Sequence, residues 1–158
     1  MSPGDDGTEA AEILKLQLEL LGKPYRWNAK GPDAFDCSGF ITWPLWKVTG
    51  IDLRATHNTD RMLAEWEPLR FPVAGCVALF GGKKLANGEW DPTDVEHAMV
   101  VLPLDGGLPD LLIGACGGGR SILTLEDARR ADARVKVKRD DHYRTKEFRG
   151  YRRLPIAA

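Results

Sequence analysis

The chain changes its hydrophobic rhythm about halfway along, and that change limits the fold more than any other feature. From Thr8 to Trp66 the apolar residues recur at helical spacing. From Val77 onward they come in short runs separated by glycine, proline and aspartate. Helices first and strands after define an α+β fold, with N-terminal helices packed on one face of an antiparallel sheet. The 158 residues fit one compact domain, 1–158, long enough to bury a core without metals or disulfides.

The first helical segment, Thr8 to Leu21, places Ile13, Leu14, Leu16, Leu18, Leu20 and Leu21 on one broad face. Thr8 and Glu9 supply a cap, and Gly22 before Pro24 a stop. Lys23 to Asp36 holds Pro24, Gly31 and Pro32 and is expected to be irregular. A second helix follows Cys37, with Asp36 or Ser38 as its cap and Gly50 as its end. Pro44 inside it removes a hydrogen bond, which is expected to divide it into two short pieces. Asn58 to Trp66 reads as a third, short helix.

Strands are expected at Val77–Phe80, Ala98–Leu102, Leu111–Ala115, Ser121–Leu125 and near Phe148–Leu154. The basic run Arg129 to Arg139 reads as a solvated surface, and Gly81 to Asp94 as a loop forming one wall of a cleft. A formal charge of −1 gives no electrostatic case for nucleic acid or an anionic membrane. No stretch approaches the roughly 20 apolar residues of a membrane span. The polar, acidic start Met1 to Gly7 does not read as a secretory signal.

Three cysteines, Cys37, Cys76 and Cys116, argue against a disulfide framework and a four-cysteine zinc site, so no metal and no cofactor are expected. Cys76, in an apolar run, reads as a small buried hydrophobe. Cys37 differs, because it stands where loop gives way to helix. Free N–H groups and the helix dipole there favour a thiolate. The same groups suit the oxyanion formed when a carbonyl is attacked, and Gly39 allows the turn to pack closely. A base must come from one of three histidines. His57 and His142 lie in polar, exposed-looking segments, whereas His97 opens the strand His97-Ala98-Met99-Val100-Val101. Cys37 as nucleophile and His97 as general base is the pairing these positions favour.

Gly22-Lys23-Pro24-Tyr25-Arg26-Trp27, Phe35-Asp36-Cys37-Ser38-Gly39-Phe40, Gly75-Cys76-Val77-Ala78-Leu79-Phe80 and His97-Ala98-Met99-Val100-Val101 follow one another in an order that resembles the NlpC/P60 family. The resemblance extends from the first helix to Gly150-Tyr151-Arg152-Arg153. It implies a circularly permuted papain-like fold and a cysteine endopeptidase acting on peptidoglycan stem peptides through a thioester. The usual bond lies between γ-linked D-glutamate and the following diamino acid. By position, Cys37 and His97 would be catalytic, and Tyr25 would help orient the scissile carbonyl or its oxyanion. Asp36 and Ser38 match residues that hold a free L-alanine amino end in some members; helix capping is their plainer role. The resemblance further implies action on the cell wall, in the periplasm or outside the cell, by a monomer of phage, effector or bacterial origin.

Two positions depart from the family pattern. The third catalytic residue, usually histidine, asparagine or glutamine, aligns with Gly114, leaving a water, a backbone carbonyl or a carboxylate such as Asp110 to steady His97. Cys76 stands where aspartate is common. Two alternatives follow: a weak or inactive member that binds wall peptides or a protein, and an amidase or acyltransferase on another amide.

Overall fold

The computed structural model describes residues 5–104 and 106–156. Three helices come first: α1 (Asp5–Glu19), α2 (Gly39–Thr49) and α3 (Thr59–Glu65). A fourth, α4 (Leu125–Ala131), lies late in the chain. Six strands, β1 (Pro68–Leu69), β2 (Val77–Phe80), β3 (His97–Val101), β4 (Leu111–Cys116), β5 (Arg134–Arg139) and β6 (Phe148–Arg152), form one antiparallel sheet in the order β1-β6-β2-β3-β4-β5. The α+β class and the helices-then-sheet layout are those expected from the hydrophobic rhythm. No helix among the described residues is long and apolar enough to cross a membrane.

Strand alternation gives the sheet two unlike faces. Val77, Leu79, Ala98, Val100, Ile113, Ala115 and Val135 join Ile13 of α1 and Phe40, Ile41 and Leu45 of α2 in the main core. Cys76, Ala78, Met99, Val101, Leu112, Cys116 and Tyr151 form a smaller core on the other face, with Phe80 and Phe148 packed against it. Cys76 is buried, as its apolar setting predicts.

Several local expectations are corrected. The first helix starts at Asp5, so Thr8 is inside it rather than at its cap; Met1 to Gly4 and the Thr8 side chain lie outside the described residues. Pro44 does not divide α2, which runs unbroken to Thr49 and closes at Gly50 in a left-handed conformation. Ser121–Leu125 is not a strand. The Thr124 hydroxyl accepts from Asp127 N–H and the Asp127 carboxylate accepts from Thr124 N–H, a capping box that starts α4. The basic run divides into the end of α4 and the last strand, β5; the run's arginines are exposed as expected, and backbone bonds from Gly22 N–H to Val135 C=O and from Val135 N–H to Lys23 C=O tie the start of β5 to the 22–25 segment. The helical and strand character of the run was hidden by charge.

His57 and His142 are not free surface groups. The His57 ring stacks on Trp66 at 6.1 Å, and its side chain is only 10% exposed. His142 is fully buried in a box of Phe80, Tyr143, Phe148 and Tyr151, with Nε2 2.9 Å from the Tyr151 hydroxyl. A 3-10 turn, His142–Arg144, folds the charged segment back so that this ring covers the smaller core.

Candidate active site

Helical hydrogen bonding at the start of α2 begins before its first formal residue, because Phe40 N–H donates to Asp36 C=O at 3.1 Å. Cys37 therefore stands in the first turn. Asp36 is the cap: its Oδ1 accepts from Gly39 N–H at 2.6 Å, whereas Ser38 makes no side-chain cap bond. Gly39 fits because a Cβ there would come within 2.4 Å of Ala29 C=O and 2.9 Å of Lys30 Cα. The glycine thus lets the 29–30 backbone lie against the helix start, where Asp36 N–H donates to Ala29 C=O at 2.8 Å.

That close approach delivers a residue the sequence reading did not single out. Lys30 Nζ lies 2.6 Å from Asp36 Oδ2 and 2.7 Å from Ser38 Oγ, and Ser38 Oγ donates to Asp36 Oδ1 at 3.1 Å. Asp36 and Ser38 are both buried. Periodicity offered no signal for Lys30, since it sits in an irregular loop six residues before its partner.

The partly exposed Cys37 thiol is pushed up to about 11, first by burial and then by the Asp36 carboxylate. The Ala98 N–H, the Lys30 ammonium and the Ser38 N–H work in the opposite direction. The bond from Ala98 explains how the sulfur meets the sheet. Pairing of β3 with β4 covers Val100↔Ile113 and Val101↔Leu112 and stops there, so Ala98 N–H serves Cys37 instead of the ladder. Tyr25 is buried beside this turn. Its phenol is raised well above the usual range by burial, then by Cys37 and Asp36. Gly118 packs on its ring, for a Cβ there would sit 2.1 Å from Tyr25 Cδ1.

His97 precedes Ala98 in β3, and strand alternation turns its side chain to the other face of the sheet. No hydrogen bond joins Cys37 to His97 among the described residues. Instead His97 Nε2 lies 3.8 Å from Cys116 Sγ, on the sheet face of Phe80 and Met99. Extending the β3–β4 register by three residues brings His97 opposite Cys116. Cys116 is buried, and its thiol donates to Gly114 C=O at 3.4 Å. The imidazole is pushed down to about 4, chiefly by burial and then by the Lys138 ammonium of β5. Val95 C=O and N–H, just upstream, are tied to Thr59 Oγ1 (2.9 Å) and Asp60 Oδ1 (2.7 Å) of α3.

The side chain facing His97 is therefore that of Cys116, two residues beyond the aligned glycine. At Gly114 the Met99 side chain fills the space, with Cγ 3.2 Å from where a Cβ would stand. Asp110 is not the orienting group. It lies at the far end of β4, six residues or roughly 20 Å from Cys116, and accepts from the Tyr143 hydroxyl at 3.0 Å. The 81–94 loop is held by Arg149, which donates to Gly81, Asp91 and Asp94 carbonyls and stacks on Trp90. No group of histidine, cysteine and carboxylate side chains suited to a metal ion occurs among the described residues.

A helix-start cysteine set against an antiparallel sheet is the layout of a papain-like α+β domain, and solved structures share it. The P60 domain of an antigen from M. avium subspecies paratuberculosis superposes with a TM-score of 0.64 at 14% identity, covering 96% of this chain and 98% of that one. The NlpC/p60 domain of the peptidoglycan hydrolase SagA gives 0.57 at 18% identity, with 92% and 98% covered. In sequence, the NlpC/P60 family profile matches residues 22–102, just over half of the chain. The protein belongs to the NlpC/P60 family. Among curated relatives, a probable endopeptidase p60 of Listeria grayi is 46% identical over 40 residues, which is 25% of this chain and 8% of that protein. The first curated relatives are thus far longer than the stretch they share with it.

Proposed function

We propose that the chain is a cysteine endopeptidase that hydrolyses peptidoglycan stem peptides at the cell wall, at the bond between γ-D-glutamate and the diamino acid. Family membership and the peptidoglycan-hydrolase and endopeptidase names of similar proteins support the substrate class. The observation that carries the chemistry is the meeting of the Cys37 sulfur with the backbone of β3 immediately after His97.

In this reading Cys116 is the positioning residue for His97. Its own S–H is directed to Gly114 C=O, so its sulfur is left to accept from Nε2–H. That tautomer leaves Nδ1 with the lone pair. Nδ1 takes the thiol proton as Cys37 Sγ forms a bond to the scissile carbonyl carbon, and N–H groups of the helix start receive the oxyanion. The proton passes to the departing amine as the C–N bond breaks, giving a thioester. Water then attacks with Nδ1 again as base, releasing the acid and restoring the thiol. Tyr25, beside the thiol, orients the carbonyl.

Substituting Cys37→Ala and His97→Ala tests this directly: each is expected to lose cleavage of purified muropeptides by at least ~10³-fold while remaining folded. Retained cleavage in either would remove the assignment. Product masses from defined muropeptides identify the bond.

A second reading, a member that binds wall peptides with little turnover, is favoured by the resting protonation. With the thiol near 11 and the imidazole near 4, both are neutral at pH 7. Alkylation of Cys37 separates the two: fast labelling at neutral pH, in step with substrate cleavage, supports the enzyme. Slow labelling that rises about tenfold per pH unit without a plateau supports the binder.

A further inference from the structure

The helix start beside Cys37 carries a cation that belongs to the protein itself. Asp36 Oδ1 is taken by Gly39 N–H and Ser38 Oγ, and Oδ2 by Lys30 Nζ, while Ser38 Oγ also receives Lys30. Asp36 is only 7% exposed, so its carboxylate has no open side on which to seat a second cation. The outermost charge of the cluster is the Lys30 ammonium, whose side chain is 26% exposed. Two of its three N–H groups are used by Asp36 and Ser38. What this wall of the site offers an incoming peptide is therefore positive charge and a spare donor.

Building on the endopeptidase reading, we propose that Lys30 is a specificity-determining residue that makes the site select stem peptides whose amino end is acylated and reject those ending in a free ammonium. An amide or acyl carbonyl, or a carboxylate, can accept the remaining Lys30 N–H. A free amino end brought to the same place meets a like charge and finds Asp36 and Ser38 already engaged. Lys30 does not readily make way, because Gly39 holds its backbone against the helix and Asp36 N–H is bonded to the preceding carbonyl. The substrate class that follows is stem peptide still joined through its amino end, as in intact wall, rather than peptide already released by an amidase.

The test uses L-alanyl-γ-D-glutamyl-diamino acid tripeptide with a free amino end and the same tripeptide N-acetylated. Affinity for each is measured by calorimetry on Cys37→Ala protein, and kcat/KM on the unmodified chain. The acetylated peptide is expected to bind at least ~10-fold tighter; Lys30→Met brings the ratio to about one, and Lys30→Arg retains the preference. Melting curves show whether Lys30→Met is folded, and Lys30→Arg supplies the result if it is not. Equal or tighter binding of the free amine, an unchanged ratio in a folded Lys30→Met, or no binding of either peptide would overturn the proposal. Selective binding without cleavage would instead refute the endopeptidase reading and leave the Lys30 assignment standing. Cleavage without preference would do the reverse.

Discussion

The two halves of the candidate site are held by different kinds of bond. Around Cys37, Lys30, Asp36, Ser38 and Gly39 form a chain of charged and hydroxyl contacts of 2.6–3.1 Å, closed over a glycine that admits the neighbouring backbone. Around His97, the contacts to and from Cys116 are sulfur contacts of 3.4–3.9 Å. Charge-assisted bonds are roughly twice as strong as neutral ones, and thiols are weak partners. The nucleophile is thus fixed by the fold, while the base is held mainly by packing between Phe80 and the neighbouring strand. In this chain the sites most open to change are those on the sheet side.

The sharpest way to break that contrast is to remove the anchor of the stronger half. Asp36→Ala strands the Lys30 ammonium, leaves Gly39 N–H without its acceptor and deletes the helix cap. The last two are one and the same bond, so a loss of about 2 kcal/mol in unfolding free energy is expected from the cap and the stranded ammonium together. Urea denaturation measures it, and a loss below about 1 kcal/mol would mean the cluster is ornamental to the fold.

Acid titration probes the weaker half without touching the stronger. The folded imidazole of His97 lies near 4, below its ordinary 6.5, so between those values the unfolded chain binds the extra proton. Stability is unaffected above pH 6.5 and falls as pH drops, by about 2 kcal/mol on reaching pH 5. His97→Gln removes this component, while the buried His142, also lowered by burial, keeps its own. Urea midpoints of the two proteins should therefore diverge progressively between pH 6.5 and 5. Parallel curves would mean that the imidazole is charged in the folded chain.

The same contrast explains what the sequence could reveal. Asp36, Cys37, Ser38 and Gly39 are contiguous, so their turn and its chemistry were visible in the order of residues. The α+β class was visible too, because it depends only on where one hydrophobic period replaces another. Lys30 was hidden, since a six-residue reach across an irregular loop depends on how Gly39 lets two backbones touch. Cys116 was hidden for another reason. Gly114 and Cys116 share a strand face, and only the register of β3 on β4 decides which of them meets His97. His142 was misread because charged neighbours suggested solvent, whereas its ring completes an aromatic box formed by residues from two strands and its own 3-10 turn. Contiguous chemistry is legible; chemistry assembled by register and loop packing is not.

The smallest expected effect is at Cys116, and it bears most directly on how His97 is held. Cys116→Ala removes the sulfur from Nε2 and leaves the Nε2 and Nδ1 tautomers closer in population, so kcat should fall about tenfold with KM little changed. A loss of that size corresponds to about 1.4 kcal/mol, in keeping with a weak sulfur contact rather than a carboxylate partner. Cys116→Ser should recover part of the rate, because a hydroxyl can give its proton to Gly114 C=O and still accept from the imidazole. A purely structural role would lower stability in both variants without moving the acid limb of the kcat–pH profile. Positioning of the imidazole shifts that limb in Cys116→Ala and restores it in Cys116→Ser. Asparagine at 116 is the stronger probe in the other direction. Its amide can accept from Nε2 through a harder, better-directed oxygen, so a rate above that of the natural chain would show that the sheet side of the site is the one held below its capacity.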